Sequence, residues 1–154
     1  ATIGGGAGVA LACDLRVMCP EAYFTTNFAK LGIHQGFGIS VTLPELIGPG
    51  AAMDLLLTGR RVGGEEALAL GIANRCVPRD EVRAGAVQLA AEIAANAPLA
   101  VEAIRTTLRA GLADRVATVL HHELDEQARL TVTADAAEGI DAAFSRRPPT
   151  FTGR

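Results

Sequence analysis

Aromatic residues are scarce in this chain. It has no tryptophan and one tyrosine, and aromatics make up only 4% of its 154 residues, whereas 17 residues are glycine. We therefore expect an interior built by close packing of small and aliphatic residues rather than of large rings. With 49% hydrophobic and 20% charged residues, the chain has enough apolar side chains for a globular core, which argues against disorder.

Signs of a nucleic-acid or membrane partner are also missing. Lys and Arg number 14 against 17 Asp and Glu, so no broad basic surface is available for phosphates. No apolar run approaches the roughly 20 residues that span a bilayer, and no basic leader precedes an apolar segment. We expect a soluble cytoplasmic protein. The chain begins with Ala-Thr-Ile rather than Met and enters a glycine cluster at once, and we expect further residues upstream.

The three cysteines lack the spacing of a zinc site or of a redox pair. Cys13, Cys19 and Cys76 form no C-x-x-C motif, and we predict reduced, buried thiols. His121 and His122 are adjacent within a predicted helix, where neighbouring positions face different sides. No metal site is expected.

The pattern of elements changes near residue 78. Before it, short apolar segments alternate with glycine-rich turns, which indicates short strands separated by helices. We predict strands at residues 1–3, 15–19, 23–26 and 72–77, helices at 9–14, 41–47, 50–57 and 64–71, and a loop at 28–40. After Pro78 apolar residues recur at helical spacing and predict four helices, the last two at 114–131 and 135–144. We divide the chain into 1–78 and a helical module, 79–154.

The glycine cluster near the start has two interpretations. It is not a dinucleotide fingerprint, because Gly4-x-Gly6 is followed by Val9 at the third required position, and no P-loop lysine follows. A glycine turn that opens a helix exposes backbone N–H groups at its positive end, where they can stabilise an oxyanion. Tight packing explains the same glycines.

Four separated blocks of sequence carry a family resemblance. They are IGGGAGVALACDLRVMCPEAYF, KLGIHQGFGISVTLPELIG, LLLTGRRVGGEEALALGIANRCVP and FSRRPPTF, and together they span essentially the whole chain. In order and spacing they resemble the crotonase (enoyl-CoA hydratase/isomerase) family. The resemblance implies an α/β fold, namely part of a crotonase/ClpP-like spiral of strand-strand-helix turns followed by a C-terminal helical trimerisation module. It also implies a homotrimer or dimer of trimers.

The same resemblance implies the ligand and its site. Family members bind acyl-CoA thioesters as substrates, need no other cofactor, and hold the thioester oxygen between two backbone N–H groups while it becomes an enolate. The second donor maps onto Gly5, and the first donor, with most of the CoA-binding surface, belongs to the upstream half of the family. The other positions assigned by the resemblance are Gly4, Gly8, Phe28, Gln35 and Gly36 for the substrate and Phe144 and Arg146 for CoA.

The catalytic acids of the family are absent from this sequence. Hydratases carry glutamates at the positions of Gly8 and Phe28, and some isomerases carry an acid at that of Gly36. Hydration needs a base for water and an acid for the α-carbon, each proton transfer contributing about 10²–10⁴-fold. His34 is the remaining candidate for a proton shuttle, because histidine as a residue type can both accept and donate a proton near neutral pH. It equally suits a role in stabilising the loop or contacting substrate, whereas Gln35 offers only hydrogen bonds.

Three functions remain open at this point. The first is an acyl-CoA-processing enzyme that stabilises a thioester enolate without the usual glutamate pair. The second is a non-catalytic acyl-CoA or acyl-thioester binding protein, which Phe28 favours. The third is a crotonase isomerase, decarboxylase or ring-processing enzyme with its acid in the upstream half.

Overall fold

The computed structural model describes all 154 residues and contains eight α-helices and five short strands. The helices are α1 (Gly5–Ala12), α2 (Ile39–Ile47), α3 (Pro49–Thr58), α4 (Gly64–Leu70), α5 (Val82–Ala94), α6 (Pro98–Leu108), α7 (Leu112–Thr131) and α8 (Ala134–Ser145). The strands are β1 (Thr2–Ile3), β2 (Val17–Met18), β3 (Tyr23–Thr25), β4 (Val62–Gly63) and β5 (Arg75–Cys76). Short 3₁₀ turns cover Ala29–Leu31 and Arg79–Glu81.

The strands form two small sheets. In the first, β3 lies between β1, to which it is parallel, and β4, to which it is antiparallel. In the second, β2 pairs in parallel with β5. Parallel neighbours need a crossover connection, and α1 with β2 provides the one from β1 to β3.

Most helix ends agree with the signals in the sequence. Glycines in the left-handed conformation end α3 at Gly59 and α4 at Gly71, because only glycine adopts positive φ without a steric cost. The first turn of α4 carries Glu65 and Glu66, which suit the positive end of the helix dipole. The Thr133 hydroxyl caps α8 by accepting a hydrogen bond from the backbone N–H of Ala136 at 3.1 Å.

The prediction was wrong at the start of α1 and in the length of the strands. The helix begins at Gly5 rather than Val9, so three glycines of the cluster lie inside it and Gly4 precedes it as the N-cap. Glycine is a poor helix former, but close packing on this part of the helix overrides that propensity. Cys19 is buried as expected, whereas Cys13 is exposed because the chain leaves the core where α1 ends.

The hydrophobic core lies between α1, α2, α3, α4 and the first sheet. Its twelve buried members all precede residue 78, and they are Ala7, Leu11, Phe24, Phe28, Ile39, Leu43, Ala52, Leu55, Val62, Ala67, Ile72 and Ala73. Helices α5 and α6 have no buried residue. No single helix is both long and apolar enough to cross a membrane, although the Arg79–Ala94 and Pro98–Thr131 segments, bent by 107°, pass a length and composition test as a pair.

Helix α8 packs back on the first part of the chain through backbone contacts. A Cβ on Gly139 would lie 2.6 Å from the carbonyl carbon of Leu31, and one on Gly32 would lie 2.6 Å from the carbonyl oxygen of Asp135. Both positions therefore need glycine. The close approach holds α8 against the 3₁₀ turn at Ala29–Leu31.

The C-terminal tail folds along α8 through charged groups. Arg147 donates hydrogen bonds to the carboxylates of Glu138 and Asp141, and Glu138 also accepts one from the backbone N–H of Thr150 at 2.8 Å. The Arg147 guanidinium, followed by that N–H, lowers the pKa of Glu138 to about 2. The tail is thus attached by exposed ion pairs rather than by an apolar core.

Candidate active site

The glycine turn before α1 presents free backbone donors. Gly4 has φ +52° and donates its N–H to the carbonyl of Thr25 in β3 at 3.0 Å. Its own carbonyl accepts from the N–H groups of Ala7 and Gly8. No carbonyl of the chain accepts from the N–H of Gly5. That donor therefore stands at the positive end of α1 without a partner, in the way an oxyanion donor would.

The ring of Phe37 lies against this turn. A Cβ placed on Gly5 would be 2.9 Å from Phe37 Cε2, and one on Gly8 would be 2.8 Å from Phe37 Cγ and still nearer to its Cβ. Phe37 is 58% exposed and has φ +62°, a conformation that is uncommon for a bulky residue. The sequence analysis missed it, although a phenylalanine between Gly36 and Gly38 is itself an unusual signal.

Phe28, at the position of the second family glutamate, belongs to the core. It is 7% exposed, and its Cζ would lie 3.9 Å from a Cβ on Gly4, so the ring lies beneath the glycine turn. The neighbouring Asn27 has a buried side-chain oxygen without a hydrogen-bond partner. The atoms nearest to Gly4 on this side are therefore the amide oxygen of Asn27 and the ring of Phe28, and neither is a carboxylate.

His34 contacts the helical module and Gln35 contacts the start of α2, rather than the glycine turn. The His34 Nδ1 lies 2.7 Å from the carbonyl oxygen of Gln35, and its ring meets that of His122 edge-on with centroids 5.8 Å apart. Gln35 Nε2 donates to the hydroxyl of Ser40 at 3.0 Å. The loop residue that reaches Gly5 and Gly8 is Phe37. No group of three or more His, Cys, Asp or Glu side chains is arranged to hold a metal ion.

Helix α7 fixes the loop through a buried carboxylate. Glu123 is 1% exposed and accepts hydrogen bonds from the backbone N–H groups of Gly38 at 2.8 Å and Ser40 at 3.1 Å. Gln127 Nε2 donates to the carbonyl of His34 at 3.0 Å. Leu124, the residue after Glu123 in α7, is 60% exposed. Glu123 points into the protein instead, because backbone N–H groups at the N-terminus of α2 stabilise its negative charge.

The residues assigned to CoA lie at the end of α8. Phe144 is 86% exposed, and Arg146 ends the helix in the left-handed conformation without an ion pair. Arg147, in contrast, is occupied by Glu138 and Asp141. Phe144 and Arg146 are therefore both available to another molecule, and they are distant in sequence from the glycine turn.

One cavity is separate from all predicted site residues. It has a volume of about 980 Å³ and is lined by the C-terminal end of α1, by α2 and by the helical module, including Leu11, Leu46 and Val101. Asp14 closes one side through ion pairs with Arg105 and Arg109. Hydrogen bonding from Arg105 is the main cause that lowers the pKa of Asp14, against its partial desolvation.

Comparison with known proteins shows similarity over the whole chain. The family model for enoyl-CoA hydratase/isomerase matches residues 1–154. A putative enoyl-CoA hydratase from Thermus thermophilus is 42% identical over 155 residues, covering 97% of this chain and 58% of the relative. The carnitinyl-CoA dehydratase of Escherichia coli is 36% identical over 166 residues, covering 98% of this chain and 59% of the relative.

Solved structures show the same fold. An enoyl-CoA hydratase from Mycobacterium avium subsp. paratuberculosis superposes with a TM-score of 0.89 at 30% identity, covering 98% of this chain and 61% of that one. A carnitinyl-CoA hydratase from Mycobacterium avium superposes with a TM-score of 0.88 at 31% identity, covering 99% of this chain and 60% of that one. The chain thus spans about three fifths of the length of these relatives, and the predicted crotonase fold is confirmed. The chain belongs to the enoyl-CoA hydratase/isomerase family.

Proposed function

We propose that this protein processes acyl-CoA thioesters and that the Gly5 N–H stabilises the negative charge on the thioester oxygen when an enolate forms. The observation that carries the proposal is the unpartnered N–H of Gly5 at the start of α1. The names of two relatives, an enoyl-CoA hydratase and a carnitinyl-CoA dehydratase, support CoA thioesters as the ligand class.

The chemistry assigned to Gly5 is electrostatic. Removing a proton from the α-carbon of a thioester moves charge onto the carbonyl oxygen, and a fixed N–H that points at this oxygen becomes a stronger hydrogen-bond donor as the charge grows. One such donor is worth about 10²–10³-fold in rate in other enzymes. The resemblance assigns the other donor, the first of the pair, to the part of the family that this chain does not match.

Ordinary hydration is not supported by the residues of this chain. Gly8 and Phe28 stand where both glutamates are expected, and the neighbouring space is filled by the rings of Phe28 and Phe37. A second candidate function, a non-catalytic acyl-thioester binding protein, is favoured by the same observation. A third, an isomerase or decarboxylase, needs an acid from outside this chain.

Binding of a thioester tests the role of Gly5. Gly5 is the first residue of α1, where proline is well accepted, so Gly5→Pro deletes the donor while the helix can still form. Gly5→Ala is the matched control, since it adds a Cβ against Phe37 but keeps the N–H. We expect calorimetry with butyryl-CoA to show a loss of affinity of at least tenfold in Gly5→Pro relative to Gly5→Ala, about 1.4 kcal/mol. Equal affinities in two folded variants would refute the proposal.

Two assays separate an enzyme from a binding protein. The protein, as its gene encodes it, is incubated with butyryl-CoA in deuterium oxide, and deuterium at the α-carbon is followed by mass spectrometry. Enolate formation predicts exchange faster than in buffer, whereas a binding protein gives none. Loss of the conjugated thioester of crotonyl-CoA at the usual enzymatic rate of about 1–10³ s⁻¹ would establish hydration and overturn the binding-protein candidate.

The proton shuttle assigned to His34 has its own test. If its imidazole transfers the α-proton, His34→Ala should slow the exchange by at least about tenfold, or roughly 1.4 kcal/mol. His122→Ala is the control, because it removes the ring that packs against His34 but leaves the shuttle itself. An unchanged rate in His34→Ala would remove this residue from the mechanism.

We also propose assembly into a homotrimer or dimer of trimers. The support within this chain is the apolar surface of α6, where Leu99, Ile104 and Leu108 are all exposed, together with the absence of buried residues in α5 and α6. Exposed apolar side chains one helical turn apart, as at Ile104 and Leu108, mark a candidate interface. A monomer in sedimentation equilibrium would contradict the proposal.

A further inference from the structure

Phe37 combines three features that packing alone does not require. Its backbone is in the left-handed region at φ +62°, its ring is more than half exposed, and that ring lies against the two glycines on the face of α1 next to the Gly5 donor. A glycine at this position would avoid the strain. Backbone strain that the surrounding structure maintains is commonly found at functional positions.

Helix α7 maintains the strained position from both sides of Phe37. On one side the backbone N–H of Gly38 is held by the Glu123 carboxylate at 2.8 Å. On the other side a Cβ on Gly36 would lie 2.8 Å from Gln127 Nε2, the atom that also binds the carbonyl of His34. Because Glu123 is fully buried and satisfied, the segment that carries Phe37 is preset and does not wait for a ligand.

We propose that Phe37 is a specificity-determining residue of the acyl-CoA site, and that Glu123 is its positioning residue. The inference rests on the proposed function, in which the thioester oxygen binds the N–H of Gly5. The α-carbon of that thioester is two bonds from the oxygen and lies beside the ring that covers Gly5 and Gly8. With the thioester bound in this way, a branch at the α-carbon meets the ring before an unbranched methylene does. The site therefore selects acyl groups that are unbranched at the α-carbon.

Two isomeric ligands test this selection. Butyryl-CoA and 2-methylpropanoyl-CoA have the same composition and differ in the branch at the α-carbon. We expect the protein, as its gene encodes it, to bind butyryl-CoA at least about tenfold more tightly in calorimetry, the lower end of what one methyl group changes in a fitted pocket. Phe37→Ala should reduce this ratio to below about threefold, chiefly by improving the affinity for the branched ligand.

Further variants show whether the affinity ratio depends on the Phe37 ring, on the strained backbone or only on the stability of the protein. Phe37→Gly removes the ring and the strain together and should give the same ratio as Phe37→Ala. Phe151→Ala truncates another partly exposed phenylalanine in the tail and should keep the ratio of the unaltered protein. Glu123→Gln, which leaves one of the two N–H groups without an acceptor, should lower the ratio, and Glu123→Asp should recover part of it.

The outcomes distinguish this inference from the function it rests on. If neither ligand binds, the proposed thioester site is wrong and the selection falls with it. If both bind with a ratio near one, or if Phe37→Ala leaves a high ratio unchanged, Phe37 is not a specificity residue while the thioester site stands. A lower stability of Glu123→Gln at an unchanged ratio would make Glu123 a purely structural residue.

Discussion

The contact between Gly8 and Phe37 predicts that one glycine-to-alanine mutation in a helix lowers the stability of the protein instead of raising it. Gly8 lies inside α1, and replacing a helical glycine by alanine normally adds up to about 1 kcal/mol of stability. Here the new Cβ would meet the Cβ and Cγ of Phe37. The peptide that follows Phe37 donates the N–H of Gly38 to Glu123, so the Phe37 backbone cannot move away freely. Overpacking of this kind costs about 1–3 kcal/mol, so Gly8→Ala should destabilise the protein.

Phe37→Gly should change that result. It removes both atoms that meet the new Cβ, and the nearest remaining atom is Ile39 Cδ1 at 3.5 Å, an ordinary contact. Phe37→Gly alone should leave the free energy of unfolding nearly unchanged. Relief of the positive φ stabilises the folded state and offsets the flexibility that glycine adds to the unfolded chain. In this background Gly8→Ala should stabilise by about 0.5–1 kcal/mol. The coupling energy between the two positions then equals the cost of overpacking, about 1–3 kcal/mol.

Urea unfolding followed by circular dichroism measures all four members of this cycle. Gly6→Ala is the matched control within the same helix, because a Cβ at Gly6 has no neighbour within 4 Å. Gly6→Ala should raise the free energy of unfolding by up to about 1 kcal/mol, both with Phe37 present and in the Phe37→Gly variant. A coupling energy between Gly8 and Phe37 below about 0.5 kcal/mol would mean that the ring does not lie on Gly8 in solution, and the argument for its role in the site would fail.

Three further predictions concern the elements around the site. Glu123→Gln should lower the free energy of unfolding by about 2–3 kcal/mol, since a buried N–H loses a charged acceptor, whereas Glu102→Gln on the exposed face of α6 should change it by less than about 0.5 kcal/mol in the same urea titration. Gly139→Ala should lower the melting temperature and release α8, because its Cβ would strike the backbone at Leu31; unchanged melting would contradict the close approach. Glu138, whose pKa is lowered to about 2, stabilises the attached tail above its unfolded pKa of about 4.3 and loses this effect as the pH falls towards 2. The protection factors of the tail amides, which compare each exchange rate with that of the unfolded chain at the same pH, should therefore fall over that range and stay constant between pH 6 and 8.

The sequence predicted the fold through its local signals and its family resemblance. Glycines and first-turn acids placed α3 and α4 within a few residues, because these signals act within one turn of the helix. The strands were predicted too long, since alternation of apolar residues says nothing about whether a neighbouring strand is present to pair with them. β2, for example, is only Val17–Met18.

The site was predictable only where the resemblance assigned a residue. Gly5, Gly8 and Phe28 could be identified in this way, and each lies at or beneath the glycine turn. Phe37 could not, because its contact with Gly8 joins positions 29 residues apart through a loop without periodicity. Glu123 was hidden for the same reason. A glutamate on a helix is ordinarily solvated, and only the donors at the start of α2 make its burial favourable.

The backbone contact between α8 and the Ala29–Leu31 turn has a kinetic consequence. The residues that meet there, such as Leu31 and Gly139, are more than a hundred positions apart in the chain. Closing so long a loop costs entropy that contacts between near neighbours do not. The interface consists of main-chain atoms and small residues, so it contributes little stabilising free energy until both surfaces are already formed. We expect α8 to dock late in folding and to leave early in unfolding, carrying Phe144 and Arg146 away before the glycine turn itself is disturbed.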